Sequence, residues 1–126
     1  MNEQKRPLYQ VPRPSTEFEG TAAMYADLLS FQYYKGEILY RGGIQFRHIA
    51  ATRTRAERCC RPWHIELAYD TLIEVMDSSW AREVRDDTSE LWRDKWEMHH
   101  YMIYLDSAGC FEVIAGGWDR IAEAPI

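Results

Sequence analysis

A chain of 126 residues with 46% hydrophobic and 28% charged residues has the length and composition of one globular domain able to bury a core without staples. Three cysteines, two of them adjacent, exclude a disulfide framework. The net charge is −5 and unevenly spread: residues 1–65 hold ten Lys/Arg against six Asp/Glu, whereas residues 66–126 hold five against fourteen. An acidic second half repels nucleic acid and attracts basic partners.

Residues 1–15 carry Pro7, Pro12 and Pro14 among polar residues and read as an extended or mobile arm, followed by one domain over 16–126. Its start has no apolar core of the signal-peptide kind, and no stretch approaches the roughly 20 apolar residues of a membrane span. A cytoplasmic location with no membrane partner is the expectation. Ser15 or Thr16, with Glu17 and Glu19 behind it, suits a helix start. Met24, Leu28 and Phe31 then recur at helical spacing, predicting a helix through TAAMYADLLSFQYY that ends at Gly36.

After Gly36 the period becomes two. EILYR and IQFRHIA read as strands around a hairpin at Gly42-Gly43, with Ile44, Phe46 and His48 on one face. WHIELAY and LIEVMD read as two further strands, the first placing His64 beside Glu66. SSWAREVRDDTSELWRDKW predicts a short helix capped by Ser78 or Ser79, interrupted at Asp86-Asp87 and followed by a second turn. WEMHHYMIYL and CFEVIA flank DSAG as the clearest hairpin, and WDRIAEA suggests a terminal helical turn. The expected fold is α+β, a curved antiparallel sheet of about five or six strands on an N-terminal helix, with a barrel or half-barrel as alternative.

Four chemistries compete for the distinctive residues. Zinc is disfavoured: Cys59, Cys60 and His64 lack paired ligand spacing, so neither metal nor cofactor is implied. Thiol chemistry at Cys59, Cys60 or Cys110 has no placed base. An enzyme or ligand-binding half-barrel would use His64, Glu66 and His100, with Glu112 arriving from the partner strand. Arg47, Arg53, Arg55 and Arg58 suit planar grips on phosphate or carboxylate, or pairing with the acidic half. Nucleic acid is disfavoured by that acidic half.

The acidic half also interleaves aromatics with carboxylates: Trp80, Asp86, Asp87, Glu90, Trp92, Asp94 and Trp96. Carboxylates around indole anchors suit a surface that occludes a basic protein. In size, charge and class the chain is similar to small acidic bacterial or phage proteins that neutralise a toxin, nuclease or defence complex. That similarity implies a non-enzymatic immunity or inhibitor protein. An exposed sheet edge also admits a homodimer.

Overall fold

The computed structural model describes residues 3–17 and 21–126. Strands take up 53% of the described residues and helices 17%, so the α+β expectation gives way to a mostly β architecture. Among the described residues nine strands run in chain order: β1 (Gln4–Gln10), β2 (Ala22–Tyr25), β3 (Leu28–Lys35), β4 (Ile38–Arg47), β5 (Ala51–Arg55), β6 (Thr71–Met76), β7 (His99–Leu105), β8 (Gly109–Ala115) and β9 (Gly117–Pro125). They form two antiparallel sheets, one ordered β1-β6-β7-β8-β5 and the other β2-β3-β4-β9. Short helices α1 (Pro62–Ile65), α2 (Ser79–Asp87) and α3 (Glu90–Arg93), with a 3-10 turn at Glu57–Cys59, complete the fold.

The expected N-terminal helix is a hairpin. Leu29, Phe31 and Tyr33 are buried at period two, and β3 pairs with β2 before them and β4 after them. Ala26, with φ of 53°, and Asp27 make the turn between Tyr25 and Leu28. The helical spacing of Met24, Leu28 and Phe31 was a local coincidence that cross-strand pairing overrode. Ser15 donates its backbone N–H to the Gln32 carbonyl at 2.8 Å and so docks on β3 instead of capping a helix. Glu19 lies outside the described residues.

The Gly42-Gly43 hairpin is likewise corrected, because both glycines lie inside β4. The turn falls at Gly36, whose φ of +64° suits a residue without Cβ. Gly42 and Gly43 are needed for close approach. A Cβ on Gly42 would meet the Tyr33 ring at 3.1 Å, and one on Gly43 would stand 2.7 Å from the Leu29 carbonyl oxygen. Gly43→Ala therefore lowers stability by roughly 2 kcal/mol, read from urea unfolding; an unchanged midpoint contradicts this packing.

Two more elements change type. WHIELAY is not a strand: Pro62 at the first helical position starts α1, and Tyr69 makes only an isolated bridge to Tyr104. WDRIAEA forms β9 along β4 instead of a helical turn. Three readings agree with the structure: α2 is capped by Ser78, whose Oγ accepts from the Ala81 N–H, α3 follows it, and β7 and β8 pair around DSAG. Residues 4–10 of the N-terminal segment are extended and pair with β6.

The sheets enclose one core. Leu29, Phe31, Ile44 and Phe46 from one meet Leu72, Tyr101, Ile103 and Val113 from the other. At one corner the chain crosses between the sheets twice, from β4 to β5 and from β8 to β9; Gly116 N–H bonds the Arg47 carbonyl there at 2.8 Å. The opposite face of the five-stranded sheet carries a second cluster. Ile73, Val75, Met102, Tyr104 and Cys110 lie under Cys60, Trp63 and Ile65 from the connector and α1. This cover positions the candidate site.

One buried carboxylate opposes folding. Asp70 has φ of 50°, is 7% exposed, and its Oδ1 has no hydrogen-bond partner among the described residues. Burial raises its pKa above the ordinary carboxylate value. A raised carboxyl pKa disfavours the native state at neutral pH and is relieved as pH falls through it. Asparagine keeps the left-handed backbone without the charge, so Asp70→Asn raises stability by roughly 1 kcal/mol at pH 7. The gain shrinks toward pH 3; a loss of stability at pH 7 contradicts the assignment.

Candidate functional site

The outer face of the five-stranded sheet builds a polar chain across three strands and a helix start. Arg53 on β5 stands opposite Glu112 on β8, and Glu112 opposite Met102 on β7, which puts His100 diagonally beside Glu112. The Arg53 guanidinium donates twice to the Glu112 carboxylate, from Nε at 2.8 Å and Nη2 at 3.0 Å. His100 Nε2 donates to Glu112 Oε1 at 2.8 Å, and its Nδ1 lies 2.7 Å from Ser78 Oγ. In the neutral ring the Ser78 hydroxyl donates to Nδ1 while accepting from Ala81 N–H at 3.0 Å.

His100 and Glu112 are buried, whereas Arg53 reaches solvent. Burial alone would raise the Glu112 pKa, but the hydrogen bonds from His100 and Arg53 outweigh it and bring it down to about 2. The chain thus fixes the first turn of α2 to the sheet. It has the composition of a Ser–His–Glu relay but a different use. Ser78 is 5% exposed and serves as a helix cap, and both His100 nitrogens are occupied.

Two indoles border this chain. Trp80 lies edge-on to His100 at 5.0 Å with the Arg53 guanidinium 4.0 Å from its ring centre, and the Lys5 ammonium lies 4.6 Å from the Trp63 ring centre. Lys5 also donates to the Trp63 and Glu66 carbonyls. A cleft of about 430 Å³ opens here, lined by Glu3, Arg53, Trp63, Trp80, Glu83 and His100 among others.

The sequence-predicted catalytic set does not assemble as a unit. His100 borders the cleft, His64 is buried in α1, and the Glu66 side chain is exposed. His64 Nδ1 accepts the Arg61 backbone N–H at 2.9 Å, so its proton sits on Nε2. Burial, then the nearby Arg55, push the His64 pKa down.

The arginines are partly spent within the fold. Arg47 bridges to Asp119, Arg53 to Glu112, and Arg55 donates to the Cys59 carbonyl at 3.2 Å; Arg58 lies in the 3-10 turn. Burial raises the Cys60 pKa and takes Cys110 up to about 12, so neither is a thiolate at neutral pH. No three metal-ligating side chains stand together among the described residues.

The acidic aromatic residues divide into two places. Trp80 belongs to the cleft, whereas Trp92 and Trp96 form a separate ledge at α3. Their rings stack at 6.0 Å, and His48 also stacks on Trp96, at 4.7 Å. His48 reaches it because β4 ends at Arg47 and His48 turns through φ of 55°. Trp92 is 49%, Trp96 45% and the neighbouring Leu91 71% exposed. A hollow of about 470 Å³ lies beside them, lined by Ile49, Ala50, Thr88 and Met98 together with both indoles and His48.

The segment that carries the ledge is rich in carboxylates. Residues 77–97 hold seven Asp/Glu against four Lys/Arg. Asp86, Asp87 and Glu90 are exposed, and Asp94 takes a bond from Arg85 at 2.5 Å. The Arg93 guanidinium is turned inward onto the Thr88 carbonyl at 3.0 Å, which holds α3 against the end of α2. Sequence reasoning missed Leu91 and His48 as parts of this surface; the apolar residue beside Trp92 was the available signal.

No helix among the described residues is long and apolar enough to cross a membrane. Comparison with protein-family models, with curated proteins and with solved structures gives no match.

Proposed function

We propose that the chain is a non-enzymatic binding protein of the immunity or inhibitor type, which docks a basic protein on the α3 ledge. The observation that carries this reading is the stacked, half-exposed Trp92–Trp96 pair beside an exposed Leu91. Covering such apolar groups from water is favourable, and indoles anchored in a rigid stack lose little entropy on binding. The carboxylates of the ledge's segment select a cationic partner and speed its encounter. The occupied nitrogens of His100 and the outlying Glu66 favour this reading over an acid–base enzyme.

The test uses a partner recovered on the immobilised protein and then purified. Charge reversal of Asp86, Asp87 and Glu90 to lysine lowers the association rate by about tenfold or more at low salt, and the loss fades as salt rises. An unchanged rate constant removes these carboxylates from the docking surface.

A further inference from the structure

The cleft at the start of α2 lies apart from the ledge and plays no part in the docking reading. Its volume of about 430 Å³ is at the small end of the range for ligand pockets, suited to one compact group and not to a protein surface. We infer that it is a binding site for an organic ammonium group carried on an apolar or aromatic body.

Three features set that class. Trp63 and Trp80 offer indole surface, and both rings already attract a cation of the chain itself, Lys5 at 4.6 Å and Arg53 at 4.0 Å. The carboxylates of Glu3 and Glu83 line the walls. The polar groups of these two cations are already matched: Arg53 is held by both oxygens of Glu112, and Lys5 by the Trp63 and Glu66 carbonyls.

Glu3 uses Oε2 for the Ser79 N–H at 2.9 Å and for the Ser79 hydroxyl, leaving Oε1 for a ligand. An anion would find the Arg53 charge already balanced and two wall carboxylates repelling it. A cation gains both carboxylates and the indole surface that Lys5 and Arg53 leave open to the cleft, while its apolar body takes the rest. A free amine and a lysine side chain of a partner share this chemistry.

Indole N–H resonances of Trp63 and Trp80 report the site in solution, with those of Trp92 and Trp96 as controls for the ledge. The probes are phenethylamine, phenylacetate as the same ring with opposite charge, and a blocked glycyl-lysyl-glycine peptide. Phenethylamine is expected to shift the Trp63 and Trp80 signals saturably while Trp92 and Trp96 stay in place, and phenylacetate to shift none. Glu83→Gln, an exposed change on α2, weakens the amine about tenfold with the remaining spectrum unchanged. Tighter binding of the peptide than of the amine assigns the ammonium to a partner's lysine; the reverse assigns it to a free amine. Equal shifts with phenylacetate, no saturable shift with either cation, or undiminished affinity in Glu83→Gln overturns the proposal. None of these outcomes bears on the ledge, whose failure would show in partner binding alone.

Discussion

Glu112→Ala lowers the unfolding free energy at pH 7 by about 3 kcal/mol, because the change leaves the buried His100 N–H without an acceptor and removes the charge-assisted bonds from the half-exposed Arg53. Arg53 loses both its acceptors and the buried His100 loses the acceptor of Nε2. For a domain of this size the shift in Tm is roughly 10 °C or more. The pH dependence distinguishes the charge from the lost packing. The Glu112 carboxyl titrates near 2 in the folded protein, against an ordinary value of about 4.3 when unfolded. A depressed carboxyl pKa stabilises the native state above the unfolded value, and the stabilisation fades as pH falls through the folded one. The gap between wild type and Glu112→Gln is therefore widest above pH 5 and narrows toward pH 2. Urea unfolding across that range measures it, and a gap independent of pH contradicts the account.

The second large effect falls on binding. Trp92→Ala and Trp96→Ala each weaken partner affinity by tenfold to a hundredfold, equivalent to about 1.4–2.8 kcal/mol. The losses overlap, since removing either ring also unstacks the other. Both side chains are half exposed, so the fold survives the changes, and thermal unfolding close to wild type confirms that the losses arise at the surface. Arg58→Ala, in the 3-10 turn away from α3, is the matched control and leaves affinity as it was.

The parts of the fold that the sequence disclosed are those where local chemistry and tertiary pairing agree. Ser78 caps α2 by its own hydroxyl, Asp86-Asp87 ends that helix, and DSAG closes the β7–β8 hairpin with short-range signals alone. The segment from Ala22 to Lys35 reads as a helix because Met24, Leu28 and Phe31 fit one helical face. Its true state depends on β4, whose glycines accept the Phe31, Tyr33 and Leu29 approach, and no local pattern states that pairing. Gly42-Gly43 misled for the same reason: a glycine needed for close packing looks like a glycine needed for a turn. Pro62 was the available warning against a strand at WHIELAY.

Site residues follow the same division. The DSAG turn fixes the β7–β8 register, so the approach of Glu112 to His100 was within reach of the sequence. The arrival of Arg53 on Glu112 was not, because it depends on β5 joining β8 across the corner at His48 and Gly116. The mixture of Trp with carboxylates after Ser78 was legible as composition. That Trp80 turns to the cleft while Trp92 and Trp96 face out follows from the break between α2 and α3, which rotates the later residues to another side of the molecule.

The most direct test of the ledge is a paired capture from native cell extract, with the wild-type protein and the Trp92→Ala/Trp96→Ala variant immobilised at equal density and the retained proteins quantified by mass spectrometry. A basic protein is expected to be held by the wild type, released by raised salt and reduced at least tenfold on the variant. Equal retention of every protein by the two baits would contradict it.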